Sequence, residues 1–203
     1  MKKQTSLKVA ITGNIGSGKS TFTNFLSAAG YPVILADDIS KEILASDPEV
    51  RKEVIKELGA QAYDGTKINK KFIAENIFSK SSTLKKINSI LHPRVRKKIE
   101  SMAKKYFTTS DIVFIETALV FESKIEDLFD YIVLITADKN LRINRILSEN
   151  RLSKKDFLQR DKNQIKEEIK KKNAHIIFIN DGSLNELKQK AILLLHLLQP
   201  TLR

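Results

Sequence analysis

The glycine-rich segment from Gly13 to Thr21 constrains the fold of this chain more than any other feature. It satisfies the pattern G-x-x-x-x-G-K-[ST], with an apolar run from Leu7 to Thr12 before it and a helical stretch from about Lys19 to Ala29 after it. In this arrangement glycines let successive backbone N–H groups, together with the helix N-terminus, converge on phosphate oxygens. The segment therefore predicts a phosphate-binding loop between a buried strand and a helix. The alternative is a glycine turn that binds no ligand.

Two side chains of this loop have predicted chemical roles. We expect Lys19 to reach the β- and γ-phosphates of a nucleoside triphosphate and Ser20 to offer its hydroxyl to Mg²⁺. The residues predicted to contact the nucleotide are Gly13, Asn14, Ile15, Gly16, Ser17, Gly18, Lys19, Ser20 and Thr21. Such a loop indicates a nucleoside triphosphate and leaves the reaction open.

Four further short apolar runs are candidate strands. They are Val33 to Leu35, Ile112 to Glu116, Tyr131 to Thr136 and Ile176 to Asn180. Polar residues do not alternate within them, so we expect every strand to be covered on both faces, as in parallel sheets. Five such strands separated by helices predict a three-layer α/β domain with a five-stranded parallel sheet.

Two segments are predicted to be helical insertions in one domain that spans 1–203. The segment 38–110 has no strand candidate and indicates a helical substrate lobe. Its predicted helices are 48–58, 69–78, 81–91 and 95–106, and Pro93 in His92-Pro93-Arg94 marks the start of the last one. The segment 142–172 is basic and poor in glycine, which suits a mobile lid of two helices.

The composition excludes several classes of function. The chain has no cysteine, which excludes a disulfide scaffold, thiolate metal ligation and a cysteine nucleophile, and its three histidines leave little for a histidine-rich metal site. No run approaches the roughly 18 apolar residues of a membrane-spanning helix. The stretch before Lys8 also lacks the apolar core of a leader sequence. We therefore expect a cytoplasmic protein with no membrane partner.

The charge balance suggests the type of ligand. Lysine and arginine number 36 against 24 aspartate and glutamate residues, a formal net charge of +12. This surplus suits nucleic acid, an anionic membrane or a phosphate-rich small substrate, or else lysines that coat exposed helix faces. Because the lysines are dispersed and not interleaved with aromatic residues, nucleic acid is disfavoured. We expect a small-molecule substrate, no nucleic-acid partner, and a monomer or small homo-oligomer.

Carboxylates follow two of the predicted strands at their C-terminal ends, where ligands of open α/β sheets bind. Asp37 could accept a proton from an acceptor hydroxyl, although Asp37 or Asp38 could instead cap the next helix. Glu116 ends the third strand, where a carboxylate can orient water on Mg²⁺, or it could be a plain strand terminus. Ser20 and Glu116 are thus the predicted metal residues.

Basic side chains are needed near a transferred phosphoryl group, because its negative charge must be stabilised. The candidates in the predicted lid are Arg142, Arg145, Arg151 and Arg160. Arg142 and Arg145 lie three positions apart and share a helix face. For each of the four, a solvated helix face is the alternative.

Several blocks of the chain resemble the dephospho-coenzyme A kinase family. The matching blocks are Ile11 to Gly13 with Lys19 to Thr21, Val33-Ile34 with Ala36-Asp37, Leu91 to Pro93, Leu119 to Glu122, Arg160 with Gln164, and Asn180 to Ser183. The resemblance implies a fold similar to that of nucleoside monophosphate kinases. It also implies ATP-dependent phosphorylation of the ribose 3′-hydroxyl of dephospho-CoA, the last step of CoA synthesis.

The same resemblance implies roles for particular residues. Asp37 would be the base on the 3′-hydroxyl, and Asn180 with Asp181 would lie near the adenine of ATP. The implied contacts of the CoA substrate are Asp37, His92, Arg94, Arg96 and Glu122.

Four positions depart from the family pattern: Leu35, Ala118, Glu149 and His175. The family's lid arginine falls on Glu149, so either Arg145 or Arg151 supplies the positive charge instead, or turnover is weak. The helical position of Arg145 makes it our choice for that role. One alternative function is another small-molecule kinase of this fold, such as a nucleoside or nucleotide kinase. A nucleic-acid-binding or GTPase-like protein is the other alternative, although the chain contains no N-K-x-D guanine motif.

Overall fold

A computed structural model of the chain describes residues 6–79, 81–150 and 152–199. The strands are β1 Leu7–Thr12, β2 Val33–Leu35, β3 Tyr63–Asp64, β4 Lys67–Ile68, β5 Ile112–Glu116, β6 Tyr131–Thr136 and β7 Ile176–Ile179. The helices are α1 Lys19–Ala28, α2 Ala36–Ser46, α3 Pro48–Leu58, α4 Lys70–Ser79, α5 Ser81–Tyr106, α6 Lys139–Ser148, α7 Lys154–Lys162, α8 Glu167–Asn173 and α9 Leu184–Leu198.

The predicted five-stranded parallel sheet is confirmed. Its strand order is β2-β5-β1-β6-β7, and every neighbouring pair is parallel. The central strand β1 pairs with β5 so that Ile11 lies opposite Glu116. Because parallel strands end at the same edge, this register brings Glu116 beside the loop that leaves β1.

One face of the sheet packs against α1 and α9. The inward side chains of β1, Val9 and Ile11, join Phe22 of α1 and Leu187 and Leu194 of α9 in one buried cluster. Each large apolar side chain that is buried in this way contributes about 1.5–3 kcal/mol. This packing fixes the start of α1 against the end of β1.

The expectation that all five strands are covered on both faces was wrong for the two edge strands, β2 and β7. In β7, Ile177 and Ile179 are 39% and 55% exposed, and in β2, Leu35 is 43% exposed. An apolar run predicts a strand well, but it does not tell which strand occupies the edge.

Contacts between Cα atoms divide the chain into two compact units, with Ala36–Glu100 as the second unit. Within it, β3 and β4 form a small antiparallel hairpin across Gly65, in a segment where we predicted no strand. The sequence Asp64-Gly65 is a hairpin signal, but two-residue strands are too short to show alternation.

Two predicted helix arrangements differ from the structure. The predicted helices 81–91 and 95–106 form the single helix α5, which continues through Pro93. Proline in a helix interior removes one backbone hydrogen bond without necessarily ending the helix. Among the described residues of 142–172, predicted as a two-helix lid, lie parts of three helices, α6, α7 and α8. Motion of this segment as a lid stays a prediction.

Candidate active site at the phosphate-binding loop

Asn180, in the turn after β7, holds the phosphate-binding loop in place. Gly18 precedes α1 with a left-handed backbone (φ 95°), and a Cβ there would overlap Nδ2 of Asn180. That same Nδ2 donates a hydrogen bond of 2.8 Å to the Ser17 carbonyl. The structure thus brings Asn180, expected near the adenine, directly onto the loop, and only glycine fits at position 18.

Lys19 folds back over the loop. Its Nζ donates to the carbonyl of Asn14 at 3.2 Å, and the Ser17 N–H donates to the same carbonyl at 3.1 Å. The first turn of α1 adds backbone N–H groups and the positive end of the helix dipole. Ammonium, amides and dipole together make this loop an anion-binding surface.

The two predicted metal residues lie together. Ser20 Oγ donates to Oε1 of Glu116 at 2.6 Å, and Thr23 Oγ1 lies 2.6 Å from the other carboxylate oxygen, Oε2. Thr23 is buried and was missed by the sequence analysis, although its position three residues after Ser20 places it on the same face of α1. Hydroxyl and carboxylate oxygens are ligands that suit Mg²⁺ together with nucleotide phosphates, so these residues fit that ion.

Arg145, the predicted source of charge stabilisation, lies against the turn after β7. Its Nη2 donates to the carbonyl of Asn180 at 2.8 Å, while Nη1 is buried with no hydrogen-bond partner within the described ranges.

Asp181 accepts a hydrogen bond of 2.7 Å from the Asp138 N–H. Glu149 is exposed at the end of α6, and Arg151 lies outside the described residues.

Arg142 points into the protein. Its Nη1 lies 2.7 Å from Oδ1 of Asp161, and the side chains are 5% and 13% exposed. Burial alone would raise the pKa of Asp161, but hydrogen bonds and charge from Arg142, with a smaller effect of Lys139, outweigh it and leave that pKa below its ordinary value. The Arg142 guanidinium is therefore directed to Asp161 in the protein interior and not to solvent.

Glu122, implied as a substrate contact, is largely buried in an ion pair with Lys170. The distance from Nζ to Oε1 is 2.8 Å, and the side chains of Lys170 and Glu122 are 0% and 10% exposed. The same Oε1 accepts the Ile165 N–H at 2.9 Å. These contacts fit a structural role, and the substrate role stays a prediction.

The acceptor-side candidates belong to the second unit. Helix α2 begins at Ala36, so the alternative that Asp37 or Asp38 caps it from outside was wrong, because both lie in its first turn. Asp37 is exposed, and Asp38 pairs with Lys41 at 2.7 Å.

His92, Arg94 and Arg96 lie on α5. Burial lowers the pKa of His92, so it is neutral at neutral pH. Arg94 contacts Glu53 at 2.7 Å, and Arg96 contacts Glu100 at 3.3 Å. Each arginine therefore has a carboxylate beside it, and the substrate role of both arginines stays a prediction.

Two of the residues that depart from the family pattern, His175 and Leu35, can be explained by their local surroundings. His175 accepts the Ile132 N–H on Nδ1 at 2.9 Å, which ties the start of β7 to β6. Leu35, at the end of β2, is 43% exposed. Nothing in the structure explains Ala118.

Comparison with known proteins identifies the family of this chain. The chain matches the family model for dephospho-CoA kinase over residues 7–186. It is 35% identical over 177 residues to a dephospho-CoA kinase of Bacteroides fragilis, a match that covers 87% of this chain and 86% of that protein. A solved Thermus thermophilus protein superposes with a TM-score of 0.81 at 30% identity, covering 95% of this chain and 98% of the other. A dephospho-CoA kinase of Campylobacter jejuni superposes with a TM-score of 0.69 at 26% identity, covering 93% and 95%.

The parallel sheet, with a phosphate-binding loop after its central strand and a carboxylate on the serine of that loop, defines a P-loop kinase. The match over most of the chain narrows this class further. The chain belongs to the dephospho-CoA kinase family, as its sequence resemblance predicted. ATP-dependent phosphorylation of dephospho-CoA in CoA biosynthesis is the reaction of that family.

Proposed function

We propose that this kinase transfers the γ-phosphoryl group of Mg²⁺-bound ATP to the ribose 3′-hydroxyl of dephospho-CoA. The observation that carries the proposal is the contact of Glu116 with Ser20, 2.6 Å apart, beside the phosphate-binding loop of a dephospho-CoA kinase family member. In the proposal, the residues from Gly13 to Thr21 hold the ATP phosphates.

The charge that spreads over the transferred phosphoryl group is the main obstacle to this reaction. Lys19 and the first-turn N–H groups of α1 would stabilise it from the loop side, and Arg145 would do so from α6. Ser20 would bind Mg²⁺ directly and Glu116 through an ordered water, and the ion would neutralise the β- and γ-phosphates.

The acceptor hydroxyl needs a group that orients it and accepts its proton. Asp37 is our candidate, because it is an exposed carboxylate directly after β2. His92, Arg94 and Arg96 would bind the CoA substrate, in a lobe that spans 38–110. Asn180 and Asp181 would border the adenine, and the segment 142–172 would close to exclude water, which prevents hydrolysis of ATP.

The direct test is a substrate panel. Purified protein is incubated with Mg²⁺-ATP and dephospho-CoA, nucleosides, nucleoside monophosphates or pantothenate derivatives, and the product mass is followed. We expect a phosphoryl group added to dephospho-CoA alone, and loss of that product when Mg²⁺ is chelated. Phosphorylation of a nucleoside or nucleotide instead would favour the alternative kinase function, and no phosphorylated dephospho-CoA would overturn the proposal.

Three narrower predictions accompany this function. They are a cytoplasmic location, a monomer or small homo-oligomer, and no nucleic-acid partner. Within the described part of the chain, no helix has the length and apolar character needed to cross a membrane. Nucleic-acid binding with a steep salt dependence, independent of ATP, would contradict the last prediction.

A further inference from the structure

Ile15, in the phosphate-binding loop, forms hydrogen bonds through both its backbone N–H and its backbone carbonyl. Its N–H donates to Oε1 of Gln164 at 2.9 Å, and its carbonyl accepts from Nη1 of Arg142 at 3.1 Å. Arg142 lies on α6 and Gln164 lies in the turn after α7, so two side chains far from the loop in sequence meet at one of its residues.

Arg142 is itself fixed from α7. Its Nη1 contacts Asp161 at 2.7 Å, and its guanidinium carbon lies 5.7 Å from the ring centroid of Phe157, which is fully buried. The backbone of Arg142 also touches the loop: a Cβ on Gly16 (φ 78°) would lie 2.7 Å from the Arg142 carbonyl oxygen. The guanidinium therefore bridges α7 to the loop.

A buried ion pair adds little net stability compared with apolar residues of the same volume. The Arg142–Asp161 pair does something that apolar residues cannot do, because it presents an N–H donor to the Ile15 carbonyl. A loop whose backbone amides bind phosphate must hold those amides in one geometry, since rigid supporting contacts determine how well such a site binds.

We propose that Arg142 and Asp161 are positioning residues for ATP: the pair fixes the peptide group between Ile15 and Gly16 and thereby the phosphate-binding loop, without touching the nucleotide. This inference rests on the proposed function, because it takes ATP to bind at that loop. It also assigns Arg142 a task other than direct neutralisation of the phosphoryl group.

The test compares two single variants on the same helix. Arg142→Met removes the donor to Ile15, whereas Lys139→Met removes a different cation that lies 3.4 Å from the same Asp161 carboxylate and is 56% exposed. We expect Arg142→Met to raise the Kd for ATP at least about tenfold, as the loss of a charge-assisted hydrogen bond implies. Lys139→Met is expected to change it less than about twofold. Equal effects of the two variants would overturn the proposal.

A second variant separates positioning from stability. Arg142→Met combined with Asp161→Leu also removes the carboxylate that has lost its closer cation, so we expect recovery of the thermal midpoint towards that of the wild type. We expect the affinity for ATP to stay low and the Gly16 amide, which shares a peptide group with the Ile15 carbonyl, to exchange its hydrogen faster than in the wild type. If ATP affinity recovers together with the midpoint, the pair is merely structural.

The outcomes also distinguish this inference from the proposed function. Wild-type protein that binds no ATP would contradict the proposed function itself. Wild-type protein that binds ATP and phosphorylates dephospho-CoA, with Arg142→Met binding ATP equally well, would overturn only the role of the pair.

Discussion

Lys170→Met is expected to destabilise the fold strongly, because it leaves the buried carboxylate of Glu122 without its cation. The Lys170 side chain is 0% exposed and lies 2.8 Å from Glu122 Oε1. Removal of one partner of a buried ion pair costs about 3–5 kcal/mol. Since Glu122 keeps the Ile165 N–H at 2.9 Å, we expect the lower end, about 3 kcal/mol.

That loss should be visible as a shift of the thermal midpoint. For a chain of this size, 1 kcal/mol corresponds to about 2–4 °C, so about 3 kcal/mol predicts a midpoint lower by about 6–12 °C in circular dichroism. Lys171→Met is the matched control, because Lys171 is adjacent, 43% exposed and paired with Glu167 one turn away. An exposed pair of that kind contributes about 0.3–0.5 kcal/mol, which predicts a shift of about 1–2 °C.

Two results would refute this reasoning. Midpoints of Lys170→Met and Lys171→Met within about 2 °C of each other would mean that the buried pair contributes no more than an exposed one. The second result concerns Glu122→Gln, assayed at a temperature well below its thermal midpoint. A raised KM for dephospho-CoA with little loss of stability would favour the substrate role implied by the family resemblance.

Lys19→Ala is expected to keep its circular dichroism spectrum and lower kcat by several orders of magnitude, because its ammonium stabilises the phosphate charge. Asp37→Asn is expected to lower kcat by about 10²-fold with an unchanged Kd for ATP, as general-base loss implies. Arg145→Ala is expected to cost at least about tenfold more turnover than Arg151→Ala, since a helical site is better preorganised. Because the pKa of Asp161 is lowered in the folded state, its contribution to the unfolding free energy is present above pH 3.8 and is lost as pH falls through the folded pKa. We therefore expect the unfolding free energy of Asp161→Asn, measured with urea, to fall less steeply at acid pH than that of the wild type.

Each of these expectations has a result that contradicts it. Near-normal turnover of folded Lys19→Ala would argue against a phosphate-binding loop mechanism. A weaker ATP affinity as the main effect of Asp37→Asn would make Glu116 the next candidate base. Small and equal losses for Arg145→Ala and Arg151→Ala would mean that the charge is neutralised elsewhere. An acid limb identical in Asp161→Asn and wild type would show that another carboxylate controls it.

The strands of the sheet were predictable because buried parallel strands are continuous apolar runs. The bounds Ile112–Glu116 and Tyr131–Thr136 agree with the prediction. The hairpin β3–β4 was not predicted, because its strands have only two residues each. Helix α5 was predicted as two helices, because proline is common at the first position of a helix and Pro93 was interpreted in that way.

The family and the sheet were predicted from the sequence alone, and so was the choice of Ser20 and Glu116 as metal residues, although their direct contact was not. Each depends on local patterns: the glycine motif, the apolar runs, and a carboxylate at the end of a strand that parallel pairing brings to the loop. Such patterns involve residues that are close together in the sequence, so they can be recognised without the structure.

Only the tertiary structure decided what the individual charged side chains do. Arg142 contacts Ile15 across 127 positions, and Glu122, in a turn after β5, pairs with Lys170 of α8. The sequence presents the lysines at 170 and 171 as equivalent, yet one is buried and the other exposed. The physical reason is that the energy of a charge depends on its burial and on its partner, and both are set by long-range packing rather than by residue type.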